Sequence, residues 1–323
     1  MLVCFASLAI WSSSLNKAAG VSVTRVSSII PVFNGGETLA LAIDSALAQC
    51  FREQEVIVVN DGSTDATSKI IASYGPKIRV IEQSRRGLSA ARNAGARLAD
   101  GEYFAFLDAD DVWLEGRLAK TCAELDANDG AVLAFSDVIP MNGAGQLAEP
   151  WVIGRLPSLG DLQTHGCGIY PSAVTMRRSV YEACGGFDER LPKLADHYLW
   201  MLARERGEFA YVAEPLAIYR TTDFSVLADK YLAGFSPFVR TVRQRYGKRT
   251  RPLVRHFRRV FASSLLARAA RELDDGALMP ALLSLARAAT LSPSYLLDLR
   301  RAQRLLTIRN LYRMLSPSGR GLR

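Results

Sequence analysis

The feature that most constrains the fold is an alternation of apolar runs with helical patterns over the first third of the chain. The apolar runs lie at 26–33, 55–61, 77–83 and 102–111, and the helical patterns at 38–50, at 88–99 and in a stretch ending near 73. The run at 55–61 is continuous and apolar, as in strands buried on both faces of a parallel sheet. The β-α-β-α-β-α-β order therefore predicts an α/β fold with a mostly parallel sheet and ligands at the carboxyl ends of its strands.

The pattern changes further along the chain. Another strand is predicted at 131–138 and a strand-to-helix turn at 175–185, whereas only helical patterns follow residue 225. The predicted C-terminal helices are 255–275, 277–290 and 296–315. We expect three segments: a poorly structured leader at 1–25, a catalytic domain at 26–225 and a basic helical region at 226–323.

The charge is distributed unevenly along the 323 residues. From residue 240 onward there are 19 Lys and Arg against four acids, a net charge of +15, which leaves −7 for the rest of a chain whose total is +8. Arginines alternate with Leu, Phe and Val at helical spacing, which predicts contact of residues 240–323 with an anionic membrane surface. The alternative is a helical appendage with solvated arginines. Few aromatics are available there for base stacking, so we expect no nucleic-acid partner.

The cysteines and the N-terminus point to a reducing compartment. Five cysteines form no C-x-x-C pair, which argues against a disulfide scaffold and a zinc site. The first eleven residues are apolar but too few to span a bilayer, and no basic residue precedes them. The expected location is the cytoplasm, with peripheral attachment to the inner face of the membrane.

The clearest chemical motif is Asp108-Ala109-Asp110, which follows the apolar run FAFL. Two carboxylates at i and i+2 after a strand can hold a hard divalent cation, Mg²⁺ or Mn²⁺, that bridges a diphosphate. The cation would neutralise charge on a departing nucleotide diphosphate. The alternative is an acidic turn that caps a helix beginning near Val112.

The ends of the first two predicted strands carry a second set of candidate residues, on the same edge of the sheet as Asp108. They are Pro31, Phe33, Asn34, Glu37 and Asp61. A flat apolar wall and a carboxylate that accepts a ring N–H suit a nucleobase. The alternatives are turn chemistry for Pro31 and Gly62, and a helix cap for Asp61.

Basic residues near the start of the third helix suit an anionic diphosphate. Arg92 is the preferred candidate because it lies inside the helix that precedes the metal motif. For Arg85 and Arg86 a solvated basic turn is an equal alternative.

A last group of acids could supply a general base that deprotonates an acceptor hydroxyl. Asp196 begins an apolar helical pattern, and Glu182 and Asp188 lie within or beside the GGFDE turn at 185–189. Asp196 is favoured, because its rivals are placed to cap or brace that turn. The alternative for Asp196 is an N-cap of helix 197–205.

Taken in order and spacing, IIPVFN, VVNDGSTD, GLSAARNAG, FLDADD, GGFDE and the segment 196–200 resemble the family 2 glycosyltransferases of GT-A fold. The resemblance covers residues 26–220. It implies a nucleotide-sugar donor with UDP-sugars favoured, a divalent metal, inversion at the anomeric carbon, and a saccharide or lipid-linked acceptor in cell-surface polysaccharide or glycolipid synthesis. By position, the resemblance assigns binding of the diphosphate to Arg92 and the role of general base to Asp196. It assigns the metal to Asp108 and Asp110, with Asp110 favoured as the direct ligand. The residues that would bind the nucleoside are Pro31, Phe33, Asn34, Glu37 and Asp61.

The sequence departs from the family pattern at two positions. Ala195 stands where the family usually has Glu, and Asn60 stands where a second Asp is common. Loss of the acid at 195 leaves open a binding module that is impaired in catalysis. A second alternative is a haloacid-dehalogenase-like phosphatase, in which Asp108 would be the nucleophile and Asp110 the acid/base.

Overall fold

The computed structural model describes residues 25–51, 53–164, 168–221 and 224–292. Their strands form one eight-stranded sheet in the order β3-β2-β1-β4-β7-β6-β8-β5. The strands are β1 (Val26–Val32), β2 (Gln54–Asp61), β3 (Arg79–Gln83), β4 (Tyr103–Phe106), β5 (Val112–Trp113), β6 (Ala131–Met141), β7 (Val174–Arg177) and β8 (Glu208–Arg220). The helices are α1 (Leu39–Leu47), α2 (Thr67–Tyr74), α3 (Leu88–Leu98), α4 (Arg117–Ala127), α5 (Leu159–Thr164), α6 (Arg178–Cys184), α7 (Ala195–Arg204), α8 (Phe224–Tyr246), α9 (Arg251–Asp274) and α10 (Leu278–Leu291).

The half of the sheet formed by β3, β2, β1 and β4 is parallel throughout, which confirms the fold class predicted from the sequence. Its central strands, β1 and β2, are almost entirely buried, as expected for mostly apolar strands of a parallel sheet. Helix α3 lies against β1 and β2 at Gly95, where an added Cβ would come within 2.5 Å of Ile29 Cγ2 and 3.2 Å of Val59 Cγ2. The glycine therefore lets α3 approach the sheet closely.

The other half of the sheet was only partly predicted. β7 runs antiparallel to both β4 and β6, and β6 runs parallel to β8. The helix expected to begin near Val112 is wrong. Val112 and Trp113 form β5, which pairs with β8, and helix α4 begins only at Arg117. The chain thus crosses from β4 to the far edge of the sheet immediately after the metal motif.

Contact clustering separates two compact units within the chain. The first takes its described residues from 1–156, 168–192 and 202–220, and contains the sheet. The second takes them from 157–167, 193–201 and 221–323. The second unit therefore includes two segments that precede residue 226, where the sequence predicts that the C-terminal helical region begins.

The second unit is helical and has an aromatic core. Phe257 packs edge-on against Phe238 and the buried ring of His197, with ring centres 5.6 Å apart in each case. The helices predicted at 255–275 and 277–290 are observed as α9 and α10, whereas the predicted helix 296–315 and nearly all of the leader 1–25 lie outside the described residues. Among the described helices, none combines the length and the hydropathy that crossing a bilayer requires.

Candidate active site

The metal motif lies at the carboxyl end of β4, where the sequence places it. The Asp108 amide donates to Ser172 Oγ (3.0 Å), and the Asp111 amide donates to the Asp108 carbonyl (3.0 Å), which closes a tight turn over the motif. Asp108 and Ala109 are half-buried, and Asp110 is exposed. The turn therefore directs one carboxylate inward and one toward solvent.

The inward carboxylate has a cationic partner. Arg92 on α3 is 3% exposed and pairs with Asp108 through Nη2. The guanidinium carbon lies 4.9 Å from the ring centre of Phe187, in the GGFDE turn. Its Nε is buried without a hydrogen-bond partner. The structure thus links Phe187 and Arg92 to the metal motif, and pairs Arg92 with Asp108 where the sequence suggested a diphosphate.

The exposed carboxylate of Asp110 has properties that suit a cation. No described side chain donates a hydrogen bond to it, and Arg220 Nε donates to its backbone carbonyl (3.1 Å). Desolvation by the surrounding protein and the charge of Asp108 raise the pKa of Asp110 to about 6. A bound cation would offset both effects.

The donor set limits which cation could bind. Among the described residues, no group of three or more His, Cys, Asp and Glu is arranged to hold a metal. Two carboxylates are nevertheless the usual protein share of a Mg²⁺ site, in which water and substrate phosphates complete the shell. Asp108 and Asp110 therefore fit an ion that binds together with a diphosphate, and do not form an all-protein cage.

Asp111 was not predicted as a site residue, although it is a buried acid directly beside the metal motif. It is 1% exposed, and accepts hydrogen bonds from Ser172 Oγ (2.5 Å) and the Arg220 amide (2.8 Å). Burial, followed by the charges of Asp108 and Asp110, raises its pKa well above the ordinary value. Its place as the third acid in DADD was the only sequence feature that could have indicated Asp111. Its hydrogen-bond partners are 61 and 109 residues away, and no local pattern identifies them.

Asp61 ends β2 as a buried carboxylate that organises the loop before α3. It accepts hydrogen bonds from Gln83 Nε2 (2.7 Å) and the amides of Arg86 and Gly87 (both 2.8 Å). A carboxylate has about four acceptor positions, so one remains for a ligand. Gly62 follows with φ +75°, and an added Cβ there would lie 2.8 Å from the Arg85 backbone nitrogen. The turn needs glycine for both reasons.

The proposed nucleobase wall is covered by an arginine. Arg85 is exposed, and its guanidinium carbon lies 3.5 Å from the ring centre of Phe33. Asn34 accepts a hydrogen bond from the Thr64 amide (2.9 Å) and so ties together the loops after β1 and β2.

The other two residues assigned to the nucleoside differ in accessibility. Pro31 is buried within β1, whereas Glu37 is exposed in the loop that follows β1. Phe33, Asn34 and Asp61 thus converge on one edge of the sheet. Pro31 supports that edge from inside.

Asp196 lies in the first turn of α7, in the second unit, and is half-buried. Its Oδ1 accepts a hydrogen bond from the His197 amide (2.8 Å). The rival acids have partners of their own: Asp188 is bound by Arg190, which lowers its pKa, and Glu182 pairs with Arg178. The assignment of the base to Asp196 stays a prediction.

Comparison with known proteins supplies the family. Residues 27–185 match the model of glycosyl transferase family 2. This segment, just under half of the chain, is similar to glycosyltransferase family 2. The match covers strands β1 to β7 apart from Val26, the metal motif and the start of the GGFDE turn, and it removes the phosphatase alternative.

The curated relatives are glycosyltransferases from bacteria. An uncharacterized glycosyltransferase of Rickettsia conorii is 34% identical over 57% of this chain and 32% of its own length. An uncharacterized glycosyltransferase of Rickettsia prowazekii is 34% identical over 54% of this chain and 57% of its own length. The succinoglycan biosynthesis protein ExoO of Rhizobium meliloti is 37% identical over 45% of this chain and 43% of its own. The chain thus spans between a third and three fifths of the length of these relatives.

A solved structure agrees on the fold. TarS of S. aureus, residues 1–349 in complex with UDP, matches with a TM-score of 0.54 at 17% identity, covering 86% of this chain and 92% of that one. At this identity the match shows the architecture alone, a mostly parallel sheet flanked by helices with further helices at the C-terminus.

Proposed function

We propose that this glycosyltransferase moves a sugar from a nucleotide-diphosphate donor to an acceptor hydroxyl, with inversion at the anomeric carbon. The observation that carries the proposal is the pair of carboxylates after β4, with Asp108 held by Arg92 and Asp110 open to solvent. A UDP-sugar is the favoured donor, since TarS was solved with UDP and with UDP-GlcNAc.

The donor would bind along the edge formed by β1, β2 and β4. Asp61 has one acceptor position left for a ring N–H of the base, and the Phe33 ring offers a flat apolar face. Arg85 already lies over that ring, so it would stack on the base or move aside for it. Asp108 and Asp110 would hold Mg²⁺ or Mn²⁺. When bound, the ion stabilises negative charge on the leaving diphosphate.

The acceptor side requires a base, because a hydroxyl is a poor nucleophile at neutral pH. We assign this role to Asp196, whose second carboxylate oxygen receives no hydrogen bond from a described side chain. His197 is a poor substitute, because it is buried, its Nε2 lies 2.8 Å from the Leu162 carbonyl, and burial lowers its pKa. Attack from the face opposite the diphosphate would give inversion.

The acceptor class follows from the relatives and from charge. ExoO acts in succinoglycan biosynthesis, which favours a saccharide or lipid-linked acceptor in polysaccharide synthesis. Peripheral attachment to an anionic membrane would bring the protein to such an acceptor. It is supported by the charge of +15 from residue 240 onward and by four exposed apolar side chains on α10, Leu278, Met279, Leu282 and Leu283.

A donor screen tests the proposal. UDP-, GDP- and dTDP-sugars are incubated with the full chain and Mn²⁺ or Mg²⁺, and release of nucleotide diphosphate is measured. We expect release from a UDP-sugar that stops in excess EDTA and falls by at least tenfold in Asp110→Asn, which removes a ligand charge at constant size. Undiminished release in EDTA would refute the metal role, and no release from any donor would refute the activity.

A further inference from the structure

Three aromatic side chains form a cluster on the side of the metal motif opposite the residues assigned to the nucleoside. Tyr170 and Tyr219 have ring centres 4.2 Å apart, and Trp151 lies 5.6 Å from the first and 6.0 Å from the second. We call these three residues the aromatic platform. Trp151 is 43% exposed and both tyrosines are half-buried, so the platform presents ring surface to solvent.

The platform is fixed to the metal motif through the backbone. Tyr219 precedes Arg220, whose amide donates to Asp111 and whose Nε donates to the Asp110 carbonyl. Tyr170 lies two residues before Ser172, which bonds to both Asp108 and Asp111. The same hydrogen bonds that hold the backbone of the metal motif therefore also fix the segments that carry two of the three rings.

The third ring is anchored as well. The Trp151 amide donates to the Val138 carbonyl of β6 (2.8 Å), and the two residues form an antiparallel bridge. With its backbone fixed and its side chain nearly half exposed, Trp151 extends the two tyrosine rings into one contiguous aromatic surface. Such a side chain is typical of a ligand-binding surface.

We propose that the aromatic platform binds a sugar ring of the acceptor by stacking. The axial C–H groups of a pyranose make one face apolar, and that face fits the electron-rich face of an aromatic ring. The polar edge of the sugar would remain directed to solvent and to the open carboxylate side of the motif. The assignment rests on the proposed function, and it specifies a saccharide as the part of the acceptor that is recognised.

The position in the sheet favours the acceptor over the donor base. Phe33 and Asp61 lie at the ends of β1 and β2, whereas the platform comes from β8 and from segments beside β6 and β7. Strand β4 and the metal motif separate the two sets in the strand order. A base stacked near Phe33 and a sugar stacked on Trp151 would then lie on opposite sides of the metal motif.

Saturation-transfer NMR tests the platform directly. The probes are methyl β-glucoside, methyl β-galactoside, methyl β-N-acetylglucosaminide and octyl β-glucoside, each with the full chain, with and without UDP and Mn²⁺. We expect transfer to the ring C–H protons of at least one methyl glycoside, and a dissociation constant about tenfold weaker in Trp151→Ala. Trp151→Phe should recover most of the affinity. Val152→Ala should bind as the wild type does, because Val152 is 67% exposed next to Trp151 but belongs to no ring contact.

Each contrary outcome has a distinct meaning. Absence of transfer to every methyl glycoside, equal binding by Trp151→Ala, or transfer only to the alkyl chain of octyl glucoside would overturn the platform, the last result indicating a lipid surface. A loss of UDP affinity in Trp151→Ala would assign the ring to the donor instead. If the wild type binds a methyl glycoside but not UDP, the platform stands and the proposed donor chemistry fails.

Discussion

At the residue scale, the most informative side chain is Arg92. It is buried between the ring of Phe187 and the carboxylate of Asp108, and it connects α3 and the GGFDE turn to the metal motif. Arginine suits this position because its planar guanidinium can stack on a ring and bind a carboxylate at the same time. We infer that the GGFDE turn would influence the proposed metal site through this arginine.

Truncation of Arg92 should therefore affect both stability and turnover. Arg92→Ala leaves Asp108, whose side chain is 22% exposed, without its partner, which we expect to lower the free energy of unfolding by about 1–3 kcal/mol. Turnover should fall by more than the folded fraction explains, because Asp108 loses its orientation. Urea denaturation and donor turnover measure the two effects. Arg97→Ala is the matched control on the same helix, since Arg97 is exposed, and an equal loss in both variants would contradict this role for Arg92.

A second prediction concerns catalysis by Asp196. General-base catalysis contributes about 10²–10⁴-fold, so Asp196→Asn should lower kcat by that order and leave the donor dissociation constant nearly unchanged. Steady-state transfer beside donor calorimetry provides the measurement. Asp188→Asn is the control, because Asp188 is bound by Arg190. Normal transfer by Asp196→Asn, or equal loss of donor binding and turnover, would exclude Asp196 as the base.

The placement of the candidate site residues was predictable to the extent that it depends on local sequence. Asp61, Asp108 and Asp110 each follow a continuous apolar strand, and parallel strands bring such ends to one edge. Asp111, Ser172 and Arg220 were not predictable, because each acts through contacts between distant segments. The contact of Arg85 with the ring of Phe33 was not predictable either, because the two side chains come from loops 52 residues apart in sequence.

At the element scale, α3 is the helix on which the site depends. It carries Arg92 and contacts the sheet through Gly95, where a Cβ would lie 2.5 Å from Ile29. Gly95→Ala should move the helix outward and cost about 1–3 kcal/mol from overpacking, more than the gain of up to about 1 kcal/mol in helix propensity. The midpoint temperature of thermal unfolding and the affinity for UDP should both decrease.

The control for this substitution is Gly143→Ala, because an added Cβ at Gly143 meets no atom within 4 Å. If Gly95→Ala is as stable as Gly143→Ala and binds UDP equally well, the contact between α3 and the sheet does not constrain the site.

The elements that sequence patterns predicted are those with a strong period. β1, β2 and β4 are mostly apolar, β3 alternates between apolar and polar residues, and the four strands alternate with helical patterns along the chain. β5 has only two residues and no period, and it forms because β8 offers it a partner. The antiparallel direction of β7 follows from the long connection after β6, whose path depends on tertiary contacts.

At the scale of the whole molecule, the basic charge is concentrated toward the C-terminus, and helix α10 adds exposed apolar side chains to it. Met279 and Leu283 on α10 are 65% and 62% exposed. Replacing both by Ser should weaken binding to anionic vesicles, because two apolar side chains no longer enter the interface, although the basic residues, each worth about 1 kcal/mol near the surface, remain. Vesicle co-sedimentation at low salt measures the loss. Leu41→Ser, at a site 55% exposed on α1, is the control. A wild type that ignores anionic vesicles would refute membrane attachment.

The account as a whole depends on the edge of the sheet being a site for a metal and a nucleotide together. Calorimetric titration of UDP into the full chain, with Mn²⁺ and then with EDTA, tests this most directly when repeated on Asp110→Asn. For the wild type we expect UDP to bind in the presence of Mn²⁺ and to bind at least tenfold more weakly in EDTA. For Asp110→Asn we expect the weaker UDP affinity under both conditions. Equal affinity with and without Mn²⁺, or an Asp110→Asn variant that still responds to Mn²⁺ as the wild type does, would contradict the account.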